Sequence, residues 1–184
     1  SDAATQLVVY DIHGPLPSSF LEYKYLIGFI HVPTGWVWIF PISLKSESFS
    51  KTKEVIMFIL SDPAFTQFNT SRLVLQSDNA KEFFSPEQKT FCEQHNILHE
   101  ASSPYCHNQA ADIERFWRTV MGGAKAMLRT ARLDIKYWPW AYSHMANIYN
   151  CMPKKNKAGV LIDAPFVRLF GENPDLSKFR VFGS

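Results

Sequence analysis

Residues 72–84 read RLVLQSDNAKEFF. Leu73, Val74 and Leu75 form a short apolar run that suits a buried strand, and from Asn79 to Lys81 the pattern changes. Asp78 stands at the junction. A carboxylate there either caps a following helix or belongs to a site, and the rest of the chain has to decide which.

Working outward, QLVVYDI at residues 6–12 predicts a first strand that also ends on an acid, Asp11, before the loop GPLPSS. YKYLIGFIHV and WVWIFPIS predict two long strands. PTG between them has Pro at i+1 and Gly at i+3 of a type I turn, so the two form a hairpin. Ser48 or Ser50 can cap a helix to about Leu60, with Val55, Ile56, Ile59 and Leu60 on its apolar side. After the strand of residues 72–76 come a helix from about Pro86 to Gln94 and a short strand around Ile97–Leu98. A loop, ASSPYCHNQ, leads to a helix from about Ala110 to Leu133, and the last major helix starts near Pro139, a favoured first-turn residue. The tail from Lys154, with Pro165, Gly171 and Pro174, reads as irregular. Three meandering strands, then helix, strand, helix, strand and helices, make an α/β protein with a mixed sheet. That order suits a ribonuclease-H-like fold, five mixed strands flanked by helices, as one domain over residues 1–184.

Composition narrows the function classes. The chain has 184 residues, 46% hydrophobic and 15% aromatic, enough for one packed core. Its apolar runs fall short of the roughly 20 residues that span a bilayer. Cys92, Cys106 and Cys151 are scattered, without a CxxC, which suits free thiols. His95 and His99 are four apart, but without paired cysteines or HExxH they read as a strand-edge or surface pair. A net charge of +2 makes the chain no polycation, so affinity for nucleic acid has to come from a local arrangement of charge.

Three carboxylates stand out. Asp11 and Asp78 end the first and fourth strands, and Glu114 lies near the start of the long helix. Were those strands neighbours, the two aspartates would face one another, and a divalent cation would relieve their repulsion. A helical acid crossing the same strand ends would complete an oxygen-rich site for Mg²⁺ or Mn²⁺. Each acid also has an ordinary explanation: a turn former at Asp11, a cap at Asp78, compensation of the helix dipole at Glu114. On the long helix Phe116, Val120, Ala124, Met127 and Ala131 share one side, with Trp117 and Leu128 at its edge. Arg118, Lys125, Arg129 and Arg132 lie on the side of Glu114, a basic row that together with Glu114 extends roughly 27 Å. Such a row suits a phosphate backbone, and equally a solvated face with an i,i+4 Glu–Arg pair. Gly122 and Gly123, which weaken a helix, point to close packing against another backbone.

These motifs resemble one family. Asp78 and Glu114 have thirty-five residues between them, the spacing of DDE catalytic cores in retroviral and retrotransposon integrases. YDIHGP, SDNAKEF and SPYCHNQAADIER resemble the corresponding motifs of the copia-type LTR-retrotransposon branch, as do Trp138, Ala141, Asn150, Pro153 and the closing APFVRLFGENPDLSKFRVFGS. The resemblance covers about residues 7–184. It implies an integrase catalytic core, excised from the zinc-binding N-terminal and basic C-terminal regions of a full integrase. It implies Asp11, Asp78 and Glu114 as catalytic residues and ligands of two Mg²⁺ or Mn²⁺ ions. Asp11 would bridge both ions, Asp78 would hold one and Glu114 the other. The expected reaction is metal-dependent polynucleotidyl transfer, trimming the 3′ ends of element DNA and joining them to target DNA by in-line attack. Expected partners are DNA and further copies of the chain, a dimer or more, with no membrane. The expected compartment is the nucleus, reached through a cytoplasmic particle. Arg115, Arg118, Lys125 and Arg129 are the expected DNA contacts; Trp36, Trp38 and Trp138 are expected in the core.

The chain departs from the family's pattern at three places. His31-Val32 replaces an acidic pair in the hairpin turn, Ala80 a turn glycine, and Ala110-Ala111 an Asn-Gly. The last change motivates a rival reading, a domesticated or inactive core that binds DNA or a protein without catalysis. A ribonuclease H is the other rival; it would need a fourth acid late in the chain, where Asp163 and Asp175 fall in the tail.

Overall fold

In a computed structural model the chain forms a five-stranded mixed sheet flanked by helices, in the order β3-β2-β1-β4-β5. The fold is consistent with the ribonuclease-H-like class. Residues 6–68, 72–78, 80, 83–101, 107–155 and 158–184 are described, with the backbone alone at 107–112. β1 (Leu7–His13), β2 (Tyr25–His31) and β3 (Trp36–Ile42) form an antiparallel meander. β4 (Val74–Ser77) and β5 (Leu98–Ala101) add to the other side of β1 in parallel. Helices α1 (Ser48–Ser61), α2 (Pro63–Thr66) and α3 (Pro86–Gln94) complete that half of the chain. Helices α4 (His107–Thr130) and α5 (Trp138–Cys151) follow.

Period-2 alternation divides the sheet between two cores. Val8 and Tyr10 face one with Val55, Ile56, Phe65 and Phe91, while Leu7 and Val9 face another with Phe116, Val120 and Trp138. α4 therefore packs on the face that Asp11 shares with Val9. Leu128, predicted at the edge of the apolar stripe, is a core residue at 4% exposure, and Met127 is only partly buried. The stripe is simply rotated slightly toward the sheet.

Gly28, opposite Asp11 on β2, sets how closely α4 approaches. A Cβ at Gly28 would come within 2.8 Å of both Phe116 Cε1 and Trp117 Cζ2, far inside the 3.5–4.0 Å optimum for carbon contacts. Gly123 serves a similar purpose against the Met145 side chain of α5, where a Cβ would meet Sδ at 2.3 Å. The backbone contact predicted for the glycine pair is thus a side-chain contact, and at Gly122 there is open space.

At the outer edge, β3 is paired by a side chain in place of a sixth strand. Asn150 of α5, 4% exposed, accepts from Val37 N–H at 2.8 Å and donates to Val37 C=O at 3.0 Å. The tail is more ordered than its prolines and glycine implied. β6 (Lys154–Lys155) and β7 (Leu161–Ile162) form a small hairpin, and α6 (Pro165–Phe170) ends on Gly171 at φ 72°. Leu169 of α6 is buried in the core with Phe65, and Gln67 Nε2 donates to its carbonyl at 3.0 Å. Pro165 begins the helix and Gly171 ends it, the ordinary asymmetry of helix termini.

His31, which replaces an acid of the related pattern, is fully buried against the rings of Phe65 and Phe68. Its Nδ1 shares a 2.8 Å hydrogen bond with Thr34 Oγ1. Burial, then the charge of Arg168, brings its pKa down to about 4, so a neutral imidazole occupies a place that would desolvate a carboxylate. Trp138 is a core residue as expected, while Trp36 and Trp38 are half-buried against the aromatic cluster. Cys92 and Cys151 are free thiols, and Cys106 lies outside the described residues. Among the described residues no helix is long and apolar enough to cross a membrane.

Candidate active site

The register of β1 against β4 pairs Leu7 with Val74, Val8 with Leu75 and Val9 with Gln76. Carried on by two residues, this register sets Asp78, just past the end of β4, abreast of Asp11, which lies inside β1 and not at the strand end expected from the sequence. Asp78 caps no helix among the described residues: its Oδ1 accepts from Ala80 N–H at 3.0 Å, while Ser85 caps α3 through Gln88 N–H at 3.2 Å. The methyl of Ala80 packs on the core beneath the turn.

Asp11 is held on both oxygens. Ile12 N–H donates to Oδ1 at 2.8 Å, and Trp117 Nε1 of α4 donates to Oδ2 at 3.2 Å. Even so, its pKa is raised, chiefly by burial and also by the negative charge of Asp78. Lys45 pulls the other way. A carboxylate whose ionisation is opposed by burial and by a neighbouring acid is the electrostatic condition a divalent cation relieves. His13, two residues on and so on the same face, lies 5.3 Å from the Trp117 ring, and burial and the charge of Lys125 lower its pKa.

Glu114 is exposed on α4, one turn before Trp117. α4 starts at His107, so Glu114 is well past the first turn, where the dipole would favour an acid. The early start has a local cause, since Ala110 and Ala111 are strong helix formers. No ion pair joins Glu114 to Arg118 among the described residues. Nor do any three His, Cys, Asp or Glu side chains there come together closely enough to hold a metal ion. The structure thus sets Asp11 beside Asp78 and leaves Glu114 on the adjoining helix, outside any three-ligand group. A pair of carboxylates still fits Mg²⁺, which keeps several waters and commonly takes one or two protein carboxylates.

The basic residues divide. Arg118, Lys125 and Arg129 are exposed along α4, spanning with Glu114 about 22 Å. Arg132 lies beyond the helix at φ 55° and leaves the row. Arg115 lines a cavity toward the β2–β3 turn.

Beneath Asp78 is a polar network that sequence reasoning missed. Ser77 Oγ donates to the Asp78 carbonyl at 3.0 Å and lies 3.4 Å from His99 Nε2. Tyr10 Oη lies 3.2 Å from the same nitrogen and accepts from Gln88 Nε2 at 2.6 Å. Phe84 stacks on His99 at 4.4 Å, and burial lowers the imidazole pKa to about 4. His99 is thus a packed, neutral strand residue, and His95 separately meets the Phe91 ring at a tilt, 4.6 Å between centroids, at the end of α3. Trp117, Lys45 and His13 also escaped the sequence reading. His13 could have been found from its i+2 spacing to Asp11, and Trp117 from its i+3 spacing to Glu114; Lys45 carried no signal.

The fold and the neighbouring acids define a class: mixed-sheet α/β proteins with a carboxylate pair carried by adjacent parallel strands. No protein-family model matches the chain. Its relatives are retroelement proteins. It is 29% identical over 162 residues to the retrovirus-related Pol polyprotein from transposon RE2 of Arabidopsis thaliana, and 28% over 165 residues to that from transposon RE1. Each match takes in 88% of this chain and 10% of the polyprotein. The Pol polyprotein from transposon TNT 1-94 of Nicotiana tabacum is 28% identical over 150 residues, 80% of this chain and 11% of that protein. The chain therefore spans about a tenth of the length of these relatives. They are copia-type retroelement polyproteins, and their match to this chain is consistent with an integrase core.

Proposed function

We propose that the chain is the catalytic core of a retroelement integrase, a metal-dependent polynucleotidyl transferase that trims and joins DNA 3′ ends. The observation that carries this reading is the adjacency of Asp11 and Asp78, with the ionisation of Asp11 opposed by burial and by its neighbour. Asp11 and Asp78 would hold a Mg²⁺ or Mn²⁺ ion. Bound there, the cation supplies Lewis-acid activation of a water or a DNA 3′-hydroxyl and neutralises developing negative charge. Ile12 N–H and Trp117 Nε1 fix the Asp11 carboxylate, which costs less reorganisation than a free side chain. Glu114, without an ion-pair partner among the described residues, is the third acid of this reading. The second cation and the approach of Glu114 are assigned to the DNA complex.

Arg118, Lys125 and Arg129 would track the phosphate backbone along α4, with binding that weakens steeply as salt rises. Arg115 joins them as a phosphate contact. Joining two element ends to one target takes at least two such cores, so the working form is a dimer or larger, acting in the nucleus.

The test is strand transfer of a 3′-hydroxyl oligonucleotide in Mn²⁺ by a longer protein carrying this core. Asp78→Asn and Asp11→Asn should each abolish joining while DNA retention is kept. Mn²⁺ titration followed by electron paramagnetic resonance should lose its tight site in both variants. Equal joining by wild type and Asp78→Asn would remove the enzymatic reading and leave the DNA-binding module.

A further inference from the structure

A second site lies away from the carboxylates. A cavity of about 420 Å³ opens between the β2–β3 turn, α4, the end of α5, and the β6–β7 and α6 segment. Its size is within the range of small-molecule sites. The floor is apolar, from Val9, Ile30 and Val32 on the sheet and Met152, Ile162 and Pro165 on the tail. Among the described residues the rim is cationic, with Arg115, Lys154, Lys155 and Arg168 against the carboxylate of Asp163.

Two of these cations are built in. Lys154 Nζ sits 3.4 Å over the centroid of the Tyr149 ring. Arg168 is tied to the turn through a hydrogen bond from Nη2 to the Pro33 carbonyl. Lys154 Nζ and Arg168 Nη1 each lie 3.8 Å from the point where Gly35 would carry a Cβ, so one anion can touch both. Gly35, at φ 74°, keeps that approach open. Among the described residues neither cation has an ion-pair partner. Burial, and then the charge of Arg168, lowers the Lys154 pKa to about 7, the mark of a cation held near another without its counter-charge.

We propose that this cavity binds a phosphate monoester carrying a flat, apolar body, that is, a nucleotide with a terminal phosphate. A dianionic head matches the excess of cations better than a carboxylate does, and a fork of Arg beside a Lys suits phosphate oxygens. The apolar floor takes the base. The ligand is a free mononucleotide or the 5′-phosphorylated end of a strand. The site stands on its own residues and does not depend on metal binding at Asp11 and Asp78.

Adenosine 5′-monophosphate and a short single strand with a 5′-phosphate are titrated into the protein by calorimetry. Adenosine and the same strand with a 5′-hydroxyl serve as their counterparts. The phosphate should strengthen binding at least about tenfold in one or both pairs, the equivalent of one charge-assisted hydrogen bond. A gain in the strand pair alone identifies a strand end; a gain in the mononucleotide pair alone identifies a free nucleotide. Lys154→Met, which keeps the apolar stem, and Arg168→Gln should each remove most of that gain. Asp163→Asn should raise the affinity of the phosphorylated ligand about two- to threefold by removing the opposing charge. Melting curves establish that each variant is folded. Binding indifferent to the phosphate in both pairs, or indifferent to all three substitutions in folded protein, overturns the proposal.

Discussion

Gly28→Ala tests how the candidate site is held, because a single methyl group there acts on both packing and chemistry. The new Cβ would come 2.8 Å from Phe116 Cε1 and 2.8 Å from Trp117 Cζ2. Each contact is roughly 1 Å too short. Neither ring has room to yield, since Phe116 is 0% and Trp117 5% exposed and their centroids are 4.9 Å apart. Overpacking of this kind costs about 1–3 kcal/mol, and replacing glycine within a strand returns about 0.5–1 kcal/mol. The expected net loss is about 1–2 kcal/mol, a melting temperature lower by roughly 3–6 °C for a chain of this size. The displaced indole should also release Asp11, whose Oδ2 accepts from Trp117 Nε1 at 3.2 Å. Urea denaturation gives the stability, and the indole N–H resonance of Trp117, assigned through Trp117→Phe, reports the hydrogen bond. If α4 is held off by Gly28 as described, the two substitutions will be non-additive, because Trp117→Phe already frees part of the space. Unchanged stability with an unshifted indole resonance would refute the argument.

Three further outcomes follow from the same geometry. Asn150→Ala leaves Val37 N–H and C=O without their partner on an edge strand, and should cost about 2–3 kcal/mol in denaturant unfolding. Because the folded pKa of His31 is about 4 and the unfolded value 6.5, the unfolded chain takes up the proton first. Stability should therefore fall between about pH 6.5 and pH 4, by on the order of 2–3 kcal/mol for this group. His31→Phe should flatten that part of the pH profile measured by thermal melting. Asp78→Asn should leave the metal-free protein as stable or more stable, by about 0.5 kcal/mol after solvent screening, because it removes a charge that raises the Asp11 pKa. A clear loss of stability in calorimetry would show that Asp78 is structural.

Much of the fold could be read from the residues. β1, β2 and β3 announced themselves through long apolar runs and a Pro/Gly turn, and α3 was expected from about Pro86 to Gln94, the bounds it has. These signals act over a few neighbouring residues, so they survive without tertiary context. The misread parts share the opposite property. The tail after Lys154 looked irregular because β6, β7 and α6 are too short to show periodicity; burial of Leu169 and the Arg168–Pro33 contact hold them. α4 began three residues early because helix propensity at Ala110-Ala111 extended it into the predicted loop.

The candidate site divides in the same way. Alone, the sequence determined that Asp78 ends a strand and that Glu114 rides a helix with an apolar underside, because alternation and helical period are written locally; Asp11, expected at a strand end, lies inside β1, whose pairing with β2 continues to His13. Only the tertiary structure decided that β1 and β4 are parallel neighbours in a register that sets Asp11 abreast of Asp78. It alone brought Trp117 onto Asp11 through the absence of a side chain at Gly28, and gathered Lys154 and Arg168 beside Gly35. Those contacts join residues far apart in the chain. They arise from the packing of whole surfaces, which no local pattern of residue types specifies.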